Sequence, residues 1–125
     1  MKKILVPTDF SKTSLVAMDV AFDIAKKSGA TVFLLNVVEE AGQDSTRITG
    51  EWQKADWEEK LFIYKLLERA EAQLTKIVQD PKYSAVKVVG ELRLGNPFHG
   101  MNAIIAEHKV DLVVMGTREI GRAHV

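Results

Sequence analysis

Two short apolar runs, each followed at once by residues that favour turns, constrain the fold of this chain more than any other feature. Residues 4–6 and residues 112–115 are continuously apolar, which is typical of strands buried on both faces of a parallel sheet. They are followed by Pro7, Thr8 and Asp9 in the first case and by Gly116, Thr117 and Arg118 in the second. If the two strands are parallel neighbours, their carboxyl ends meet at the edge where open α/β sheets bind ligands.

Between these runs, helical and strand patterns alternate. Apolar residues at helical spacing follow Ser11, which we assign as the N-cap of a first helix, and the pattern ends at Gly29. Residues 31–38 are β-branched and almost wholly apolar, which predicts a central strand. Residues 39–50 are polar and have no periodicity, and we interpret them as a mobile loop.

A long amphipathic helix is predicted over residues 51–79. The apolar residues that step by three or four along it are Trp57, Leu61, Tyr64, Leu67, Ala70, Leu74 and Ile77. We expect this face to be buried, with Trp52, Trp57 and Tyr64 packed in or near the core; the alternative is that an exposed aromatic residue here marks a partner surface.

The last third of the chain repeats the alternation. Residues 85–92 predict a third strand, and Asn96 and Pro97 predict the N-cap and first residue of a helix that ends near residue 109. Residues 110–115 predict the fourth strand. The order βαβαβαβ predicts one α/β domain, an open parallel sheet with helices on both faces and a switch point between the first and fourth strands.

Composition excludes several classes of function. Lys and Arg together number 17, as do Asp and Glu, so no broad basic field is available for nucleic acid. Cysteine is absent, which excludes disulfides, thiol catalysis and Cys-ligated metal. No apolar run approaches the roughly 20 residues of a membrane span or the length of a signal sequence, so we expect a cytoplasmic protein without a membrane partner.

The polar residues offer little sign of catalysis. No nucleophile is paired with a base, so we do not expect an enzyme. His99 and His108 are expected to be solvated and have no partner at zinc-ligand spacing. A flavodoxin-like phosphate loop would place Asp9 against an anionic phosphate. A receiver domain would need an Asp after the third strand, where the chain has Gly90 and Glu91.

Four stretches, in order, resemble the universal stress protein family. They are residues 3–11 (KILVPTDFS), 34–37 (LLNV), 95–97 (GNP) and 111–118 (DLVVMGTR). The resemblance implies a five-stranded, Rossmann-like parallel fold of the adenine-nucleotide α-hydrolase type. It also implies a homodimer and a family with both ATP-binding members and members that bind no nucleotide.

The resemblance also implies a nucleotide site, with ATP, and Mg²⁺ alongside it, as the cofactor. The positions that match the family's adenosine contacts are Pro7, Thr8, Asp9, Val37, Met115 and Gly116, and Arg118 stands where the phosphate loop begins. A carboxylate such as Asp9 can accept hydrogen bonds from ribose hydroxyls or the adenine amino group, Val37 supplies an apolar wall, and Gly116 allows close backbone approach. The alternatives are purely structural: Asp9 caps a turn, Gly116 only turns the chain, and Arg118 is solvated.

The chain departs from the family pattern after Arg118. Glu119 occupies the position of the loop's second glycine, and the rest of the loop and the fifth strand do not follow. Residues 120–125 (IGRAHV) match the sequence that a common sequencing adapter encodes. We therefore expect residues 1–118 to be a C-terminally truncated domain with four strands, and residues 119–125 to be a non-native tail.

The truncation has three expected consequences. Nucleotide binding is weakened or lost, because phosphate would lack the loop's N–H donors. The fourth strand becomes an unpaired apolar edge at Val113, Val114 and Met115, and a normal homodimer becomes doubtful. Two other functions stay open: an interaction module that binds no nucleotide, and, with less support, an ATP-using enzyme domain.

Overall fold

The computed structural model describes residues 2–39, 57–116 and 123–124 of the chain. The strands in these residues are β1 (Lys3–Pro7), β2 (Thr31–Val38), β3 (Val88–Leu94), β4 (Leu112–Val113), β5 (Met115–Gly116) and β6 (Ala123–His124). The helices are α1 (Lys12–Ser28), α2 (Trp57–Val78) and α3 (Pro97–His108), with a 3₁₀ turn at Pro81–Tyr83. The loop predicted over residues 39–50, apart from Glu39, and the first residues of the predicted long helix, 51–56, lie outside the described residues.

The first four strands form one parallel sheet in the order β3-β2-β1-β4. Lys3 lies opposite Thr31 in the β1–β2 pair, and Ile4 lies opposite Leu112 in the β1–β4 pair. The chain moves from β1 to one neighbour through α1 and reaches the other neighbour only after α3. The switch point therefore lies between β1 and β4, and the predicted fold class is confirmed.

Both faces of the sheet are covered, which explains the continuously apolar strands. Ile4 and Val6 point into a cluster on the side of α1 and α2, whereas Leu5 points into a cluster with Ile104 of α3. All four side chains have no exposed surface. None of the helices in the described residues is long and apolar enough to cross a membrane.

The predicted helix ends are confirmed. The Ser11 hydroxyl accepts a hydrogen bond from the Ser14 N–H at 3.3 Å, and α1 stops at Gly29, whose φ is 77°. The Asn96 side chain accepts hydrogen bonds from Phe98 N at 2.8 Å and His99 N at 3.1 Å. These caps satisfy backbone donors that would otherwise have no partner at the start of a helix.

The third strand begins later than predicted. Asp80 caps the 3₁₀ turn by accepting a hydrogen bond from Lys82 N at 3.0 Å, and Val86 N donates to Tyr83 O at 3.1 Å. The chain is therefore still turning at residues 84–86, and pairing with β2 starts only at Val88. The prediction of residues 85–92 missed this turn because residues 85–89 have strand-forming side chains.

The expected burial of the first turns of α2 is wrong. Trp57 is 77% exposed and Tyr64 59% exposed, and the buried residues of the helix are Ala70 and Leu74. Length explains the difference, because the 22 residues of α2 span about 33 Å. The 7 residues of β3 span only about 23 Å. Trp52 lies outside the described residues.

One histidine differs from its expected state. His99 is exposed, as expected, but the His108 ring stacks on Phe33 with the centroids 4.4 Å apart. Its Nε2 lies 3.8 Å from Oε2 of Glu91. His108 is therefore half-buried at the end of α3 because β2 and β3 supply an aromatic ring and a carboxylate there.

The prediction that the fourth strand is an unpaired edge is also partly wrong. Val114 is buried, and its N–H donates to Leu5 O at 2.9 Å. Met115 and Gly116 form β5, which pairs in antiparallel register with His124 and Ala123. The predicted fourth strand is thus divided, and its second part pairs outside the main sheet.

Candidate functional site

A cavity of about 310 Å³ opens where the carboxyl ends of β1 and β2 approach β5. Six of the seven sequence-predicted site residues line it: Pro7, Thr8, Asp9, Val37, Met115 and Gly116. Arg118 lies outside the described residues. The remaining lining residues, which the sequence pattern did not assign to the site, are Thr13, Ser14, Leu35, Asn36, Glu39, Pro97 and Met101.

Thr8 fixes the loop that leaves β1. Its N–H donates to Leu35 O at 2.8 Å, so the pairing with β2 continues beyond the strand. Its hydroxyl oxygen lies 2.8 Å from the hydroxyl of Ser14 and accepts a hydrogen bond from Phe10 N at 2.9 Å. The buried Thr8 side chain therefore ties β1 to the first turn of α1, and its role in the structure is to shape the cavity.

Asn36 connects the same loop to β2. Its side-chain Nδ2 donates to Thr8 O at 2.8 Å, and both residues are buried. A buried amide needs such partners, because an unpaired polar group costs free energy in the interior. The signal in the sequence was a single amide inside an apolar strand.

Asp9 is exposed at the mouth of the cavity. Its Oδ1 accepts a hydrogen bond from Ser11 N at 2.9 Å. The Ser11 hydroxyl, with a smaller contribution from that N–H, holds the pKa of Asp9 below its ordinary value, although partial burial acts in the opposite direction. Asp9 is thus ionised at neutral pH. It caps the turn and still offers a carboxylate oxygen to a ligand.

The turn between β1 and α1 depends on Phe10, whose φ of 66° lies in the left-handed region. A bulky residue adopts this conformation at a cost of about 1–2 kcal/mol. The turn directs the N–H groups of Phe10 and Ser11 back to the side chains of Thr8 and Asp9. Two residues of the cavity are held in place in this way.

Two glycines bring secondary structures close together at the cavity. A Cβ on Gly116 would overlap the Thr13 carbonyl group, at 2.7 Å from its carbon and 3.1 Å from Ser14 N. A Cβ on Gly100 of α3 would lie 2.7 Å from a methyl carbon of Val37. Gly116 therefore permits close approach to α1, whereas the sequence suggested approach to a ligand or a simple turn.

The charges of the lining are negative. Asp9 and Glu39 carry carboxylates, and the described lining contains neither Lys nor Arg. In the described parts of the chain, His, Asp and Glu side chains form no group of three or more that could hold a metal ion. This half of the site suits a ligand moiety that is uncharged and rich in hydrogen-bond donors.

An open parallel sheet with a cavity at its switch point defines a Rossmann-like α/β domain. The model of the universal stress protein family matches residues 1–124. Universal stress protein MJ0531 of Methanocaldococcus jannaschii is 34% identical over 116 residues, which cover 93% of this chain and 64% of that protein. The chain belongs to the universal stress protein family and spans 64% of the length of this curated relative.

Solved structures share the fold. The structure of hypothetical protein MJ0577 is 27% identical with a TM-score of 0.74, covering 94% of this chain and 75% of that one. A universal stress protein in complex with cAMP is 22% identical with a TM-score of 0.53, covering 90% and 69%. An Arabidopsis thaliana family member with AMP bound is 16% identical with a TM-score of 0.51, covering 97% and 79%. At these identities the last two show the common fold alone.

Proposed function

We propose that this chain binds an adenine nucleotide, ATP or a related one, in the cavity at the carboxyl edge of the sheet. It acts in the stress response, in the cytoplasm, through binding and assembly rather than catalysis. The observation that carries the proposal is the convergence of Pro7, Asp9, Val37 and Gly116, from three separate parts of the chain, on one cavity. The cAMP and AMP complexes of related proteins support it, because both ligands contain adenosine.

The cavity matches the adenosine part of the ligand. Asp9 accepts hydrogen bonds from ribose hydroxyls or from the adenine amino group, and Val37 and Met115 supply apolar walls for a planar base. A volume of about 310 Å³ lies at the lower end of the range for small-molecule sites. It therefore fits a nucleoside better than a whole triphosphate.

The phosphates are held less well in this chain. Asp9 and Glu39 repel anions at the mouth, and the described lining offers no cationic side chain. We propose that Arg118 lies where the phosphates begin and that bound Mg²⁺ lowers their charge. We also propose that residues 1–118 are the native domain, that residues 119–125 are a non-native tail, and that the complete protein is a homodimer with a full phosphate loop.

Calorimetric titration of this chain with adenosine, AMP and ATP tests the proposal. We expect all three to bind weakly, with affinities within about tenfold of one another, because most of the binding free energy comes from adenosine. Guanosine serves as the matched control and should bind more weakly. Absence of heat and of a thermal shift with every adenine ligand at millimolar concentration would contradict the proposal.

A further inference from the structure

A second cavity lies between α1, α2 and the 3₁₀ turn. Its volume is about 310 Å³, as large as the cavity at the carboxyl edge of the sheet, and the two cavities share no lining residue. Such a volume lies at the lower end of the range for small-molecule sites. We call this space the α1–α2 cavity.

The lining of the α1–α2 cavity contains apolar and aromatic side chains. Phe10, Leu15 and Ile77 are half-buried, so each presents part of its surface to the cavity. Tyr83, also in the lining, is buried, and its hydroxyl donates a hydrogen bond to Asp19. An apolar, planar group can therefore contact two aromatic rings here without leaving a buried polar group unpaired.

The charged groups in the described lining give the α1–α2 cavity a net positive charge. Lys76 and Lys82 contribute ammonium groups, and Asp80 contributes a carboxylate. Oδ1 of Asp80 already accepts a hydrogen bond from Lys82 N at 3.0 Å. An anion is therefore attracted to the α1–α2 cavity, whereas Asp9 and Glu39 repel anions at the other cavity.

The two lysines differ in their existing partners. Nζ of Lys82 lies 3.4 Å from Oδ1 of Asp19 and 5.0 Å from the centroid of the Tyr83 ring. Lys76, in the last turn of α2, is exposed, and its ammonium group has no ion-pair partner among the described residues. Lys76 is thus available to pair with an anionic group at the rim of the apolar lining.

Phe10 connects the α1–α2 cavity to the turn between β1 and α1. Its side chain lines the cavity, while its N–H donates to the Thr8 hydroxyl oxygen at 2.9 Å. Its φ of 66° is a conformation that a bulky residue adopts only at a cost in free energy. A ligand that contacts the Phe10 ring requires the turn to hold the ring in place, so such a ligand stabilises the turn.

We propose that the α1–α2 cavity binds a small arylalkyl carboxylate. The aryl group packs on the apolar lining, and the carboxylate pairs with Lys76 at the rim. Binding also stabilises the turn that carries Thr8 and Asp9, two residues that line the cavity at the carboxyl edge. The proposal does not depend on which ligand occupies that other cavity.

NMR titration of the labelled, nucleotide-free chain with phenylacetate tests the proposal. We expect saturable amide shifts at Leu15, Lys76 and Ile77, with a Kd of roughly a few millimolar for a ligand of this size. Phenethyl alcohol and phenethylamine are matched ligands, because they carry the same apolar group without the negative charge. The alcohol should bind about threefold more weakly than phenylacetate, and the amine more weakly still.

Charge variants of Lys76 test the contact at the rim. Lys76→Gln should weaken phenylacetate binding about threefold and Lys76→Glu about tenfold, because the first removes an exposed ion pair and the second adds repulsion. Neither change should alter the affinity for phenethyl alcohol. Lys65→Glu is the matched control, since Lys65 is also exposed on α2 but does not line the cavity.

Amide hydrogen exchange measures the effect on the turn. Phenylacetate at about ten times its Kd should slow exchange of the Phe10 N–H by up to about tenfold, because the turn opens only when the ligand leaves. The Phe98 N–H is the matched control, since it also donates to a side chain two residues earlier, that of Asn96. Its exchange rate should not change.

Four results would overturn the proposal. Absence of saturable shifts at Leu15, Lys76 and Ile77, including shifts confined to other surfaces, would show that the cavity does not bind phenylacetate. Equal affinities for the three ligands would show apolar adsorption without recognition of the carboxylate. Unchanged affinity in Lys76→Glu would exclude the proposed ion pair. Unchanged exchange at Phe10 in the saturated chain would exclude stabilisation of the turn.

Discussion

Asp9 illustrates how one residue can serve both the fold and the site. Its Oδ1 caps the turn through Ser11 N at 2.9 Å, while the carboxylate lines the mouth of the cavity. The two roles that the sequence presented as alternatives are therefore compatible. They differ in what they require, because the turn needs an acceptor oxygen and the proposed ligand contact benefits from a full charge.

Asp9→Ala should weaken adenosine binding by about tenfold or more, because a hydrogen bond to a charged group contributes a net ~1.5–3 kcal/mol. Asp9→Asn should have a smaller effect, since an amide oxygen still caps the turn. Calorimetric titration measures both, and Asp23→Asn, an exposed change on α1, is the control. Equal affinities in Asp9→Ala and wild type would remove Asp9 from the site.

The second prediction at the scale of single residues concerns Gly116. Gly116→Ala should lower the free energy of unfolding by about 1–3 kcal/mol, because its Cβ would collide with the Thr13 backbone rather than with a movable side chain. Gly90→Ala is the control, since its Cβ would meet Val78 at an ordinary 3.4 Å. Urea unfolding of both variants measures the difference. A Gly116→Ala variant as stable as the control would show that β5 can move away from α1.

At the scale of elements, most helices and strands follow from local signals. The caps at Ser11 and Asn96 and the apolar run of β2 were all readable because each depends on neighbours in the chain. The exposure of Trp57 could not be predicted, because helical spacing does not reveal where the sheet beneath α2 ends. The stacking of His108 on Phe33 could not be predicted either, because the two residues are distant in sequence.

The end of α3 yields a third prediction. Lys109 terminates the helix with a φ of 55°, a left-handed conformation that disfavours residues with a side chain. Lys109→Gly should therefore raise the free energy of unfolding by about 1 kcal/mol, as glycine adopts this conformation without strain. Lys27→Gly, within α1, should lower it by about the same amount. Chemical denaturation distinguishes the two, and a loss of stability in Lys109→Gly would contradict the prediction.

At the scale of the whole molecule, the packing of the 3₁₀ turn against α1 gives one side chain among the described residues a strongly raised pKa. Tyr83 donates a hydrogen bond to Oδ1 of Asp19 at 2.8 Å and packs edge-on to Phe22. Burial, followed by that hydrogen bond, raises the pKa of Tyr83 to about 12. The 3₁₀ turn that positions this residue is the one that the sequence pattern did not reveal.

This shift predicts alkaline destabilisation. Because the folded-state pKa of Tyr83 lies above its ordinary 10.0, its contribution to stability is complete below pH 10 and is lost as the pH rises through about 12. Tyr83→Phe should reduce the slope of unfolding free energy against pH in that window, and it also removes the Tyr83 hydroxyl that is the main cause of the raised pKa of Lys82. Tyr64→Phe, at an exposed position, is the control. An unchanged slope in Tyr83→Phe would refute the assignment.

The central claim is that adenosine occupies the cavity formed by β1, β2 and β5. Two-dimensional ¹H–¹⁵N NMR of the labelled chain, titrated with AMP, tests it most directly because every amide reports its own environment. We predict that the largest shifts occur at Thr8, Val37 and Gly116, with little change along α2, which does not line the cavity. Shifts concentrated away from the carboxyl edge of the sheet, or no shifts at millimolar AMP, would contradict the claim.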